Sequence, residues 1–140
     1  MTAVINTEVS RGFLEIELNG DGVAAGASMG SVLNPEGVDV IILRGFLYAT
    51  APETLAATLD IGVGTLAVDS SDIMSALPIN GAIAKTGWNG VASLASEAAM
   101  TTPAIWTAEK YLNFWNLAQV STGFRGKFFV EYVRVEDEGD

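Results

Sequence analysis

The sequence predicts an all-β protein, a single-domain β-sandwich of jelly-roll type with at most one short helix. Apolar and polar residues alternate clearly at residues 13–18 and 124–135, which is the pattern of half-buried strands. Residues 38–49 form a long run rich in β-branched and aromatic side chains. Turn signals separate such segments at intervals of roughly eight to fifteen residues, a spacing typical of sandwiches and jelly rolls.

The composition supports one domain with a substantial core. The 140 residues are 49% hydrophobic and only 17% charged, the opposite of a disordered chain. No linker or internal repeat divides them. We therefore expect a β-sandwich at residues 11–135, between an N-terminal arm at residues 1–10 and an acidic tail at residues 136–140.

The first predicted strand, residues 11–18, alternates between apolar residues on one side and Glu15 and Glu17 on the other. This pattern indicates one buried face and one solvated face. Residues 19–22 (Asn-Gly-Asp-Gly) predict a turn. Residues 22–34 are small and uncharged, so they form either a loop or a weak strand interrupted by glycine.

The strongest predicted strand covers residues 38–49 and is apolar on both faces, so we expect both faces to be covered. Gly45 is interpreted as a bulge or bend within this strand. Thr50 and Glu53 have the spacing of a helix capping box. The alternation at residues 58–63 nevertheless favours a hairpin that joins the two strands.

Two further helix candidates follow. Residues 69–77 could form one helical turn ended by Pro78, and residues 91–100 have apolar residues at helical spacing. Further strands are predicted at residues 82–88, 105–107, 111–117 and 124–135. Aromatic residues fall on both faces of the strand at 111–117.

No catalytic constellation is evident. The chain has no histidine and no cysteine, which excludes an imidazole base, a thiolate nucleophile, a disulfide and an ordinary zinc site. Residues 26–30 match the G-x-S-x-G nucleophile elbow around Ser28, but that motif requires a base to take the serine proton. A Ser–Lys pairing with Lys85 or Lys110 remains open, but nothing in the sequence places either lysine near Ser28. We therefore expect no enzymatic activity, no cofactor and no small-molecule substrate.

Other polar and glycine-rich spacings are better explained by structure than by binding. Asp69 and Asp72 lack the alternate acidic residues, glycine and distant glutamate of a calcium-binding EF-hand loop. A solvated turn is the simpler explanation. Residues 62–64 (Gly-Val-Gly) lack the third glycine of a dinucleotide-binding loop.

The net charge of −10 argues against nucleic acid as a partner, because proteins that bind it are usually basic. The longest charge-free stretches, such as residues 22–35 and 111–124, are shorter than a membrane span. Residues 1–8 have neither the basic nor the apolar region of a signal peptide. We expect that the protein is synthesised in the cytoplasm and does not associate with a membrane.

Four segments together resemble a known family. They are Leu-Asn-Pro-Glu-Gly at 33–37, Tyr-Ala-Thr-Ala at 48–51, Ala-Thr-Leu-Asp-Ile-Gly-Val at 57–63 and Gly-Lys-Phe-Phe-Val-Glu-Tyr-Val at 126–133. This combination resembles the jelly-roll head decoration (cement) proteins of tailed bacteriophages. The similarity covers residues 27–63 and 103–135.

The resemblance implies a virion structural protein on the capsid surface, synthesised in the host cytoplasm. Its partner would be the major capsid protein. Because the strands at 38–49 and 111–117 are apolar on both faces, we also expect the chain to associate with further copies of itself, as a dimer or trimer. The candidate interface residues are the aromatic side chains Tyr111, Phe114, Trp106 and Trp115, because such anchors dominate interface energies. Residues 1–10 and the loop at 22–34 are further candidate contacts.

Two alternatives remain open. One is a β-sandwich glycan- or receptor-binding module of a phage tail or fibre, in which Trp88, Trp106 and Trp115 would stack on sugar rings. The other is a minor head-completion or connector protein, present in a few copies at one vertex.

Overall fold

The computed structural model describes residues 11–80, 98–99 and 104–135. Within these ranges the chain forms nine strands and no helix, which confirms the all-β prediction. The strands are β1 (Arg11–Asn19), β2 (Ala27–Leu33), β3 (Val40–Ala51), β4 (Thr58–Gly64), β5 (Met74–Pro78), β6 (Ala98–Ala99), β7 (Ala104–Trp106), β8 (Tyr111–Leu117) and β9 (Arg125–Arg134). The predicted arm at residues 1–10 and the tail at 136–140 lie outside the described residues.

The strands build two antiparallel sheets in the order β1-β9-β3-β7 and β2-β8-β4-β5-β6. The pairs β1–β9, β2–β8, β3–β7 and β4–β5 have the connectivity of one long hairpin folded back on itself. Pairing of β9 with β3 and of β8 with β4 then joins these units into the two sheets. This order is that of a jelly roll, so the predicted sandwich type is confirmed.

The core lies between the two sheets and is made of aliphatic and aromatic side chains. The rings of Phe114 and Phe128 meet edge to face, with centroids 5.3 Å apart. The largest fully buried side chains are Trp106, Phe114, Phe124, Phe128, Ile42, Leu47, Leu59, Ile61, Ile73, Leu77, Ile79 and Leu112. Burying each side chain of this size stabilises the fold by about 1.5–3 kcal/mol.

The alternation predicted for the first and last strands is confirmed. In β1, Leu18 is buried while Glu15 and Glu17 are exposed. In β9, Phe128 and Val130 are buried and face the other sheet. The two strands pair along their whole length, so both place the same side against the core.

The prediction of a bulge at Gly45 is wrong by two residues. The register passes from Ile42 opposite Tyr132 to Arg44 opposite Glu131, which leaves Leu43 as the extra residue. Gly45 instead lies under an aromatic ring: a Cβ atom there would be 2.3 Å from Cζ of Phe128. A glycine is needed because the ring crosses the strand.

The predicted hairpin between the strands at 38–49 and 58–63 is also wrong. β3 belongs to the four-stranded sheet and β4 to the five-stranded sheet. Residues 52–57 therefore cross from one layer to the other. The alternation correctly identified both strands but contained no information about which strand each one pairs with.

The helix at residues 69–77 is not formed, since β5 occupies its second half. At residues 91–100, Ala98 and Ala99 form β6, which pairs with β5, and this contradicts a helix at that end. The rest of that segment and the strand predicted at 82–88 lie outside the described residues. Residues 22–34 contain the weak strand β2, whose register shifts between Ser28 and Gly30.

Candidate interaction surface

Two of the four predicted interface residues are core residues. Trp106 is fully buried, and its indole N–H donates a hydrogen bond to the backbone oxygen of Lys110 at 2.8 Å. Phe114 is fully buried against Phe128. Both side chains point inward because they occupy the inner positions of β7 and β8. Neither offers surface to a partner, and Trp106 offers none to a sugar ring.

The other two, Tyr111 and Trp115, lie half-buried on the outer side of β8. Their contact with a partner stays a prediction. Between them, Asn113 is fully buried because the β4–β5 connection folds over it. Its amide donates to the oxygen of Thr65 at 3.0 Å, and its Oδ1 accepts from the backbone N–H of Ala67 at 3.1 Å. The outer side of the five-stranded sheet is thus partly covered by its own chain.

The outer side of the four-stranded sheet is different, because apolar side chains project from it away from the core. We call the set Phe13, Ile41, Phe46, Ile105, Phe129 and Val133 the apolar face. Phe13 is 67% exposed and Ile105 is 60% exposed, on the two edge strands. The rings of Phe13 and Phe46 lie 6.4 and 6.5 Å from that of Phe129. The row of Phe46 and Phe129 and the row of Ile41, Ile105 and Val133 are separated by the row that holds Phe13, Glu131 and Arg44, so the surface is mostly apolar and is interrupted by an ion pair.

Ion pairs lie among these apolar side chains. Arg44 Nε and Glu131 Oε1 are 2.6 Å apart, and Lys127 Nζ and Glu15 Oε1 are 3.6 Å apart. A shallow depression of about 290 Å³ is lined by Phe13, Arg44, Phe129 and Glu131. The depression therefore combines two phenyl rings with one ion pair.

Sequence reasoning missed the apolar face. Phe13 and Phe129 occupy the positions interpreted as solvated, on the same sides as Glu15 and Lys127. The available signal was the apolar second face of residues 38–49, which was expected to be covered by a partner. The pairing of β9 between β1 and β3 brings the isolated phenylalanines of three strands together.

Charge is distributed unevenly over the described residues. The outer side of the four-stranded sheet has four cations and three carboxylates: Arg11, Arg44, Arg125, Lys127, Glu15, Glu17 and Glu131. The other described residues include two cations and eight carboxylates: Lys110, Arg134, Asp21, Glu36, Asp39, Glu53, Asp60, Asp69, Asp72 and Glu109. The apolar face therefore lies on the one side of the sandwich where charge is nearly balanced.

A buried carboxylate, that of Glu53, is used by the fold itself. Its Oε2 accepts from Ser121 Oγ at 2.8 Å and from the Thr122 N–H at 2.6 Å, and its Oε1 accepts from Thr122 Oγ1 at 2.7 Å. Burial alone would raise the pKa of Glu53, but the hydrogen bonds from Thr122, Ser121 and Gly123 outweigh it and hold the pKa well below its usual range. The ionised group ties the β3–β4 crossing to the β8–β9 turn.

The acidic residues considered for calcium also have structural roles. Asp72 Oδ1 accepts from the Val63 N–H at 2.7 Å and from Ser70 Oγ at 3.1 Å. Hydrogen bonding to Asp60, burial and the Asp60 charge raise the pKa of Asp69 to about 6. Among the described residues, no group of three acidic side chains is arranged to hold a metal ion.

The G-x-S-x-G segment is part of a bulged strand. Ser28 lies inside β2 at the register shift, and its Oγ accepts a hydrogen bond from the backbone N–H of Gly30 at 3.1 Å. A nucleophile elbow places its serine on a tight turn between a strand and a helix. The local geometry at Ser28 is therefore that of a strand irregularity.

No protein-family model, no curated protein and no solved structure matches this chain. None of the described residues belongs to a helix that is long and apolar enough to cross a membrane.

Proposed function

We propose that this protein is a capsid decoration protein, a non-enzymatic component of the virion that binds the outside of an assembled shell and stabilises it. The observation on which the proposal depends is the apolar face, a set of outward-facing apolar side chains on a four-stranded sheet, of which Phe13 and Ile105 are 67% and 60% exposed. Such a surface suits contact with another protein, because contiguous apolar patches of this kind mark interaction sites.

The polar groups of the described residues favour the same conclusion. Glu53, Asp72 and Asn113 are each engaged in holding turns and connections together. Their side chains are therefore committed to the scaffold. A β-sandwich in which these three side chains hold the connections in place suits a protein that works by surface contact.

The charge indicates how such a protein could recognise a shell. The chain has a net charge of −10, and its described carboxylates are concentrated away from the apolar face. A shell that presents basic patches would attract this acidic surface. Binding only to the assembled shell would stabilise it by about 2.7 kcal/mol per site at a hundredfold excess over Kd.

Heating of particles with and without the protein tests this function. Particles that retain it should release their contents at a higher temperature than stripped particles, and adding the protein back should restore that temperature. An acidic protein of similar size serves as the control for charge alone. An unchanged release temperature, or a protein that never co-purifies with shells, would contradict the proposal. Stoichiometry against the coat protein separates a decoration protein from a connector.

A further inference from the structure

We propose that two copies of this chain associate through the apolar face, with the four-stranded sheet of one copy stacked on that of the other. This inference rests on the composition and charge of the face. It assigns to a second copy the surface that the proposed function takes as evidence of protein contact, so the shell would meet the remaining, more acidic surface of the dimer. It identifies the surface and the partner, a second copy, and it leaves the acidic remainder of both copies outward.

The apolar side chains form rows across the sheet that a second sheet would cover. In one row, Val133 lies beside Ile41, and Ile41 lies beside Ile105. In another, Phe129 lies beside Phe46. Two stacked sheets lie about 10 Å apart, and they bury such rows because their side chains interdigitate. Phe13 and Ile105, 67% and 60% exposed, gain the most from being covered.

Electrostatics favours a second copy at this face over any other part of the described surface. Two chains with a net charge of −10 repel each other, and the repulsion is weakest where the carboxylates are farthest apart. Four cations and three carboxylates surround the apolar face, and Asp21, which pairs with Arg125 at 2.7 Å, brings the carboxylates to four. The other described residues have seven carboxylates and two cations, so stacking through this face brings together the least acidic part of the described surface.

The face also presents both signs of charge to a rotated copy. Arg44 is paired with Glu131, and Lys127 with Glu15, on the same surface. A two-fold interface requires a patch that is complementary to itself, and a patch with interspersed cations and carboxylates meets that requirement.

The area reaches the lower limit for a specific interface. The strands β1, β9, β3 and β7 have nine, ten, twelve and three residues, and at about 4.8 Å between strands and about 3.3 Å per residue they cover roughly 540 Å² on each copy. Two such faces bury somewhat more than about 1,000 Å², the size at which specific interfaces begin.

Stacking is favoured over pairing of strand edges. The edge strand β1 has Arg11, Glu15 and Glu17 exposed along it, and charged side chains on an edge discourage edge-to-edge pairing. The opposite edge strand, β7, is only three residues long. The outer face of the sheet between these two edges is therefore the larger contact surface.

Sedimentation of the full chain with matched variants tests the inference. At micromolar concentration the wild-type chain should sediment at twice its 14.7 kDa mass. Ile105→Glu should weaken association at least about tenfold, as expected for an interface residue. Leu66→Glu is the matched control, because Leu66 is also 60% exposed but lies in the β4–β5 connection. It should leave the dimer intact.

Every outcome is informative provided that the variants are folded, which far-UV circular dichroism and the unfolding midpoint establish. If Ile105→Glu unfolds, Phe13→Ser replaces it. A wild-type chain that sediments as one copy throughout the micromolar range overturns the inference. So does a dimer disrupted by Leu66→Glu and not by Ile105→Glu.

The result also separates this inference from the proposed function. A chain that is monomeric alone, but whose binding to shells is lost in Ile105→Glu, would assign the face to the shell and overturn the dimer. A dimer of wild-type protein that leaves the release temperature of particles unchanged would support the dimer and contradict the decoration function.

Discussion

The hydrogen bonds to the buried carboxylate of Glu53 come from hydroxyl groups and backbone amides of residues 54, 55 and 121–123. An ionised carboxylate is an acceptor only, so it can satisfy all of these donors together. Glu53 is 2% exposed, and water cannot replace these bonds. Stability should therefore depend strongly on this residue.

Replacing Glu53 by glutamine should lower the free energy of unfolding by about 2–4 kcal/mol. The NH2 group of glutamine would face the hydroxyl and backbone N–H groups that now donate to the carboxylate, and in a buried site these donors would be left without an acceptor. Chemical denaturation of the two proteins measures the difference. Glu109→Gln, at an exposed glutamate, is the matched control and should change stability by less than about 0.5 kcal/mol. Equal losses in the two variants would show that the hydrogen bonds to Glu53 contribute little.

The same group should make the fold sensitive to acid. The pKa of Glu53 lies well below its usual value of 4.5 in the folded state, so below about pH 4.5 the unfolded state binds more protons. Its contribution is complete above that pH and is lost as the pH falls. The unfolding midpoints of the wild-type chain and of Glu53→Gln should be measured from about pH 7 to about pH 3. Below about pH 4.5 the midpoint should fall less steeply in Glu53→Gln than in the wild-type chain. Parallel declines would contradict this assignment.

At the scale of elements, β3 and β9 are held in register by an aromatic ring that lies across a glycine. Phe128 on β9 covers Gly45 on β3, and Val130 is opposite that glycine in the register. No side chain larger than hydrogen fits under the ring without displacing it. The packing of Phe128 against β3 therefore depends on the missing Cβ atom of Gly45.

Gly45→Ala should destabilise the protein by about 1–3 kcal/mol, the range for overpacking of a well-packed core. Gly123→Ala is the control, because a Cβ atom there would meet nothing within 4 Å. Thermal unfolding of the two variants measures the difference. If Gly45→Ala were as stable as Gly123→Ala, Phe128 would have to adopt another position.

At the scale of the whole molecule, negative charge opposes compactness. The chain has 17 acidic and seven basic residues, and the self-repulsion of an unbalanced charge destabilises the folded state. Four of the basic residues lie on the outer side of the four-stranded sheet, so the remainder of the molecule is still more acidic.

Added salt should therefore stabilise the protein. Raising the ionic strength from about 0.01 M to about 0.15 M shortens the Debye length from about 30 Å to about 8 Å, which screens the repulsion. The midpoint of thermal unfolding should rise by a few degrees, equally in sodium and potassium chloride. Repeating the measurement with Ile105→Glu separates this effect from association. A lower midpoint in salt would contradict the prediction.

The sequence by itself determined the secondary structure of the best-patterned segments. The alternation at β1 and β9 predicted which side chains are buried, because a strand turns successive side chains to opposite faces whatever its neighbours are. The same local rule predicted a non-helical fold from residues 13–18, 38–49 and 124–135. The absence of histidine and cysteine likewise excluded whole classes of catalytic and metal site without any structure.

Tertiary structure decided which strands pair and which residues meet. The burial of Trp106, the position of β4 in the second sheet and the contact between Glu53 and Thr122 join residues that are far apart in sequence. The apolar face has the same origin, since Phe13, Phe46 and Phe129 become neighbours only when β9 enters between β1 and β3. Local periodicity determines to which face of a strand a side chain points. The neighbours of that side chain on the face depend on which distant strands pair.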